Sequence, residues 1–522
     1  MKALNGLPVI LFTALIATAT TAYGTQPTDV VTSDSNLNTA MGTDALLNLS
    51  GGSGNNTAAG DKALLQNTTG SYDTAVGAVA LAANTTGHGN AALGYAALNS
   101  NTTGSGNTAA GSGALQSNTT GAENTACGNA SLDTNTTGVD NSASGYNALL
   151  SNSTGSYNTA TGAYALQANT TGIYNSAFGY QALESTTTGS DNVASGYFAL
   201  GYNTTGQENT AVGTLALEDN TSGSYNTASG YGALNENRSG NDNTAYGYGA
   251  LAAATAADYN TASGYNALYS NNGNSNTASG YEALYANTSG TQNTATGLHA
   301  LASNTTGSNN IAEGYHGGFN LTTGSNNIDI GNVGVAGESG TIRIGTASTQ
   351  TATYIAAISS AKVTGSAVYV TSAGQLGVLA SSERYKTAIV PMDSYSEKLQ
   401  QLRPVAFHLK TDPQGALQYG LIAEEVAKVY PELVIRDATG RIDGVRYDEL
   451  APMLLNEVQR QRSKIEAQAA INSTQAQEYA ALAKRSAAEE SQLRSLQRQL
   501  ADVHAVLVKL EAKDKDELVA RR

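Results

Sequence analysis

Hydroxyl and cationic side chains gather at one place in this chain, residues 379–389, where Ser381 and Ser382 precede Arg384 and Lys386. A serine beside a lysine is a variant of triad logic, with an amine as the base. Taken alone, the stretch reads as a polar surface segment. Elsewhere the chemistry is thin. His408 and His504 stand in no Ser/His/Asp or metal-spaced cluster, and neither a metal nor a cofactor site is expected. The single cysteine, Cys127, leaves no intrachain disulfide framework. It occupies a place where other repeats carry Ala, Ser, Thr or Val, and reads as a small filler. Glu123, Asp140, Asp191, Glu208 and Asp242 recur at the turn position before a repeated Asn. A solvated residue is the simplest account of them. A glycan-cleaving enzyme would need paired carboxylates at one level of the chain.

The composition narrows the partners. The net charge is −15, which excludes a nucleic-acid partner and electrostatic docking on anionic lipid. No Pro lies between Pro27 and Pro391. That suits a continuous hydrogen-bonded ladder, because Pro removes a ladder donor. Lys2, the apolar residues 9–17, and Ala22-Tyr23-Gly24 ahead of Thr25 have the order of a secretory signal peptide over residues 1–24. The mature chain is therefore expected to be secreted or on the cell surface. No later apolar run reaches the roughly eighteen residues of a membrane span.

The elements that must position the candidate chemistry begin with a repeat. Asn-Thr-Ala-x-Gly recurs every 17 residues from Asn56 to Asn327, with one deletion before Asn276 and an earlier copy at Asn38. Each unit has an apolar run around Thr-Ala and another around Ala-Leu, so two short strands and two turns per coil are expected. In the Asn-Thr-Thr-Gly turn, Gly is expected to supply a positive φ. Stacked about 4.8 Å apart, such coils make a rod roughly 80 Å long. One buried Leu per unit contributes about 1.5–3 kcal/mol, against on the order of 17–34 kcal/mol for ordering its backbone. A lone chain therefore looks marginal, and three chains pooling their apolar edges are expected. The Asn-Thr-Thr triplets are formal glycosylation sequons, but their place in the turns explains them without sugar. A Tyr column (Tyr95, Tyr146, Tyr180, Tyr197, Tyr231, Tyr248, Tyr265, Tyr281, Tyr315) is expected to pack on itself; it also offers surface to a carbohydrate.

These repeats, over residues 38–331, resemble the head repeats of trimeric autotransporter adhesins. The resemblance implies left-handed parallel β-rolls in trimers. The period here is longer than usual in that family. The chain also ends in a polar helix rather than barrel strands.

Residues 332–380 change style. Thr341-Ile342-Arg343-Ile344-Gly345 and residues 368–378 read as short strands of a β neck. Residues 379–389 are followed in order by Gly420-Leu421-Ile422-Ala423-Glu424-Glu425-Val426, Tyr430-Pro431-Glu432-Leu433-Val434 and Val445-Arg446-Tyr447-Asp448-Glu449-Leu450. This ordered set resembles the intramolecular chaperone auto-processing domain of phage tailspikes and endosialidases. The resemblance implies a domain that trimerises the chain, guides the β-fibre into register and then cuts itself off. Carried over, Ser381 is the nucleophile, Lys386 its partner, and the cut falls between Ala380 and Ser381. Arg384 and Glu425 also match the pattern. Ser382 stands where the family has an acid, and Ala388 where it has Asn. Ser382 is thus an alternative nucleophile, and slow or lost cleavage is the other outcome. A lysine acts as base only when neutral, through desolvation or neighbouring cations, and Arg384 would supply such a charge or stabilise an oxyanion.

From residue 451 to the C-terminus a helix is expected to start at Pro452. Leu493, Leu496, Leu500, Val503, Leu507 and Leu510 keep the 3–4 spacing of a coiled-coil seam. The expected organisation is a signal peptide (1–24), β-roll repeats (25–331), a β neck (332–380), an auto-processing domain (381–450) and a coiled coil (451–522). The fold class is mainly β, a repetitive parallel β-solenoid fibre followed by a small α+β domain. The expected function is a secreted homotrimeric fibre or adhesin with a cell-surface or carbohydrate ligand. The competing reading is a monomeric solenoid that binds ice or polysaccharide through a flat row of Thr.

Overall fold

A computed structural model describes residues 32–50, 54–347, 349–355, 367–371, 374–437 and 439–521. The signal-peptide reading of residues 1–24 lies outside them. The chain divides into two compact units, 1–362 and 363–522.

The first unit is a β-solenoid with one twenty-stranded sheet. Apart from the antiparallel strand Thr32–Ser33, its three-residue strands run parallel, one per coil. Thr227–Ser229, for example, lies between Thr210–Val212 and Thr244–Tyr246, with Ala228 directly between Ala211 and Ala245. At about 4.8 Å per strand the stack from Thr39–Met41 to Ile342–Ile344 is about 85 Å long. The sheet thus runs one coil beyond residue 331, into the stretch read as a neck.

The expected second strand at Ala-Leu is absent. Adjacent residues on a strand point to opposite faces, yet Ala233 and Leu234 are both fully buried. The chain satisfies this by turning: Leu234 adopts φ 53°, and the same left-handed angle recurs at the equivalent Leu of the other coils up to Leu301. The left-handed conformation costs roughly 1–2 kcal/mol per residue. Burial of the Leu and a bond from Leu234 N–H to Ala250 C=O, 2.9 Å, offset it.

The turn glycine also differs from expectation. Gly223, in the Asn-Thr-Ser-Gly turn, has no positive φ; a Cβ there would meet Gly240 O at 2.4 Å and Asn220 Oδ1 at 2.5 Å. Close packing between coils excludes a side chain. Positive φ belongs instead to the glycine after each strand, such as Gly230 at +139°, and to the residue before each repeated Asn, such as Tyr225 at 61°.

The asparagines are interior residues. Asn226 Nδ2 donates to Asn209 Oδ1 (3.1 Å) and to Gly240 O (2.8 Å). Asn226 Oδ1 accepts from the backbone N–H and Nδ2 of Asn243, both at 3.1 Å. A second ladder runs alongside, in which Asn237 Nδ2 donates to Asn220 Oδ1 (2.9 Å) and Gly240 O (3.1 Å). Both sets are fully buried. The sequon amides are therefore consumed by the fold, which accounts for them without sugar. The ladders, with Ala and Leu, close each coil within one chain. Buried amides thus add to each coil a stabilisation that one Leu per unit does not supply.

The solenoid surface follows the repeat. Tyr231, Tyr248, Tyr265 and Tyr281 stack with centroids 5.0–5.2 Å apart and planes within 10°. Their faces cover one another, and their edges and hydroxyls meet solvent. Glu123, Asp140, Asp191, Glu208 and Asp242 are exposed at their turn position. Cys127 faces outward from its strand, so the filler sits on the surface rather than inside. In the penultimate coil, Asp329 replaces the inward Ala. Its carboxyl is buried, and desolvation pushes its pKa up to about 6. Arg343 of the last strand pairs with Glu338 at 2.6 Å.

The second unit contains small hairpins and a long helix. Val405–Phe407 pairs with Gln418–Gly420, and Val434–Arg436 with Ile442–Val445. Helix Ala423–Val429 packs over the second hairpin, and Val426, Tyr430, Leu433, Val434, Val445 and Met453 form a small core. The last helix spans Tyr447–Val519, 73 residues and about 110 Å. It begins before Pro452, which therefore sits past the first turn rather than at its start. Asn456 anchors the helix to the segment Asp393–Gln401 through Asp393 O (2.9 Å) and Ser396 Oγ (2.7 Å).

Candidate functional site

The site is built by one tight turn. Ser382 leads into the 3-10 segment Glu383–Tyr385, in which Tyr385 N–H donates to Ser382 O and Lys386 N–H to Glu383 O, both at 3.0 Å. That turn folds the chain back by five residues. Lys386 Nζ thereby reaches Ser381 Oγ at 3.2 Å. The ammonium or amine end of Lys386 thus sits on the hydroxyl of Ser381 rather than that of Ser382. Ser381, Lys386 and the preceding Ala380 are all exposed in the single chain.

The other two candidates are placed elsewhere. The Arg384 guanidinium lies over the Tyr385 ring, 4.8 Å from its centroid. Glu425, at the start of helix Ala423–Val429, is held by Arg403 through a forked pair, Nη2–Oε1 at 2.6 Å and Nε–Oε2 at 3.2 Å. Those bonds keep the Glu425 carboxyl below its ordinary pKa. Arg403 was not singled out in the sequence; only the folded hairpin brings it across 22 residues to Glu425.

Ala388 gives the departure from the family pattern a physical meaning. Its φ is 52°, in the left-handed region. Asn enters that region far more readily than Ala does. The backbone shape that suits Asn is thus present here without the Asn.

An apolar groove runs between the first hairpin and the start of the long helix, lined by Leu402, Tyr419, Leu421, Tyr447, Leu450 and Leu454. Beyond it the helix carries its seam in the open: Leu493, Leu496, Leu500, Val503, Leu507 and Leu510 are all more than half exposed. Among the described residues, no group of three or more His, Cys, Asp or Glu is placed to hold a metal, and no helix is long and apolar enough to cross a membrane.

Residues 381–435 match the family described as chaperone of endosialidase. The match begins at Ser381 itself and covers the turn, the first hairpin and helix Ala423–Val429. No curated protein and no solved structure matches the chain. A C-terminal segment of intramolecular-chaperone type and a long β-solenoid together fit a tailspike-like or fibre-like protein.

Proposed function

We propose that this chain is an extracellular fibre that assembles as a homotrimer, and that residues 381–522 are an assembly chaperone that releases itself by cutting between Ala380 and Ser381. The observation that carries the reading is the 3.2 Å contact between Lys386 Nζ and Ser381 Oγ, at the first residues of a segment matched to a chaperone family. In the proposed step the Ser381 hydroxyl adds to the Ala380 carbonyl carbon and its proton passes to a neutral Lys386. The amide nitrogen leaves with that proton, which yields an ester. Water then cleaves the ester, freeing the Ala380 carboxylate and the Ser381 hydroxyl. Both side chains are exposed in one chain, and a neutral lysine needs burial or nearby cations. Packing of further copies around the turn would supply both, so cleavage follows assembly.

Oligomerisation is supported by the long helix. Helices owe most of their stability to packing of an apolar face, and among the described residues this seam is more than half exposed. Three such seams fit a coiled coil. The processed fibre would persist through a high unfolding barrier. The ligand class proposed for it is a cell surface or carbohydrate.

A second reading has its own observation. Each coil closes within one chain, and the sheet carries a row of outward Thr such as Thr210, Thr227, Thr244 and Thr261. A monomeric solenoid that binds ice or polysaccharide would use such a row. Intact mass and sedimentation of the wild-type chain beside Ser381→Ala separate the two. A trimeric fragment ending at Ala380, with an uncut variant, is the expected result. Uncut trimers in both would remove the self-cleavage, and monomers in both would promote the second reading.

A further inference from the structure

We infer that copies of the chain pack together through the outward face of the parallel sheet, and that the isoleucines of its last three strands make the first contact. This rests on the homotrimer proposed above and names the surface it uses.

The first and third residues of each strand face outward, and the middle one is buried. Across the strands from Thr39–Met41 to Ile342–Ile344, these two outward columns contain Thr, Ser, Ala and larger apolar residues, with Glu313 the sole charge. The charges of the repeats lie elsewhere, at turn positions such as Glu123, Asp140 and Asp242. A solvent-facing sheet in a chain of net charge −15 would be expected to share in that charge. Its exclusion from one continuous face marks a surface meant to be covered. Small and β-branched side chains allow close approach of two sheets.

The columns are also graded along their length. Through most of the stack the first position is Thr or Ser; in the last three strands it is Ile311, Ile328 and Ile342. The third position ends in Ile330 and Ile344. Ile342 is 66% and Ile344 72% exposed. The apolar end of the face is thus the one nearest in sequence to the proposed chaperone. A contact that starts there and proceeds toward the N-terminus would let each coil align the next.

Ice is a poorer occupant than a second copy. A lattice-matching surface needs uniform height, but Leu93, Phe178, Val212 and Tyr246 rise from the third column and are each about half exposed. A protein surface can accommodate such side chains. The area is also sufficient: a strip about 85 Å by 10 Å covers roughly 850 Å², near the ~800 Å² per partner of a stable interface.

The native Cys127 reports on this face, because it occupies the third column in the sixth of the nineteen strands from Thr39–Met41 to Ile342–Ile344. A short bifunctional thiol reagent applied to the purified wild-type protein should link Cys127 between copies. The variant Cys127→Ala/Asp140→Cys, with its thiol on a charged turn, should link at least tenfold less. Ile342→Asp/Ile344→Asp, both at exposed positions, should shift the sedimenting species from trimer to monomer with circular dichroism unchanged. A wild-type trimer that links through position 140 as well as or better than through Cys127, or that tolerates both aspartates, would overturn the assigned face and leave the homotrimer standing. A wild-type monomer would overturn the homotrimer and this inference with it.

Discussion

Asp73 accepts two hydrogen bonds from Asn90, at 2.9 Å from its backbone N–H and 3.1 Å from its Nδ2, and is the one carboxylate in a ladder otherwise made of asparagine. It also accepts from Asn84 Nδ2 at 3.2 Å. An amide there would donate to the rung before it, as Asn226 does to Asn209; a carboxylate cannot. Burial pushes the Asp73 pKa from 3.8 up to about 6. The folded chain therefore holds this proton more tightly than the unfolded chain. The contribution of Asp73 to stability is greatest below about pH 4, falls as pH rises toward 6, and is level above that. Asp329 imposes a slope of the same sign. Asp73→Asn should raise stability at pH 7 by about 1–3 kcal/mol and flatten part of the slope between pH 4 and 6. Thermal unfolding at both pH values, at one scan rate, checks this; a variant no more stable than wild type at pH 7 would refute it.

The two ladders should outweigh the surface. Asn226→Ala removes two donor bonds and leaves two buried donors of Asn243 without their acceptor, a cost of about 3–5 kcal/mol. Leu234→Ala should cost about 2–5 kcal/mol through its cavity. Tyr95→Ala, at an exposed ring, should stay within about 0.5 kcal/mol. Denaturant midpoints of the three variants would rank them.

In the Ser381–Lys386 turn, if the proposed self-cleavage holds, Ser381→Ala and Lys386→Gln should leave the chain uncut, while Ser382→Ala should still be cut. The reason is that the lysine contacts Ser381. Ala388→Asn should relieve on the order of 1 kcal/mol of left-handed backbone cost and hasten the cut. Intact mass over time measures all four. Loss of cleavage in Ser382→Ala alone would reassign the nucleophile.

Along the helix, Leu500→Asp/Leu507→Asp should abolish trimers and, with them, cleavage. Sedimentation and intact mass on one sample would show whether the two are lost together. Efficient cleavage in a monomeric variant would break the proposed link between assembly and processing.

Much of this was legible because a repeat is a statement about neighbours. A period of 17 places Ala211, Ala228 and Ala245 in one line, and the parallel sheet has that register. The order of Ser381, Lys386 and the motifs after them pointed to the chaperone family that residues 381–435 match. The helical seam was readable from spacing alone, and the long helix carries it. Other features depended on the third dimension. Asn beside Thr-Thr-Gly looks like turn chemistry; its burial follows only once stacked coils let each amide satisfy the next. Adjacent Ala and Leu look like a strand, but both can enter one narrow core only if the Leu turns left-handed. Glu425 needed Arg403, which a hairpin rather than a motif brings to it. The sequence alone determined the period and the register, because these follow from local pattern, and it pointed to the segment 381–435 that matches the chaperone family. The tertiary structure decided which polar groups lie inside, because a buried amide is stable only where another coil supplies its partner.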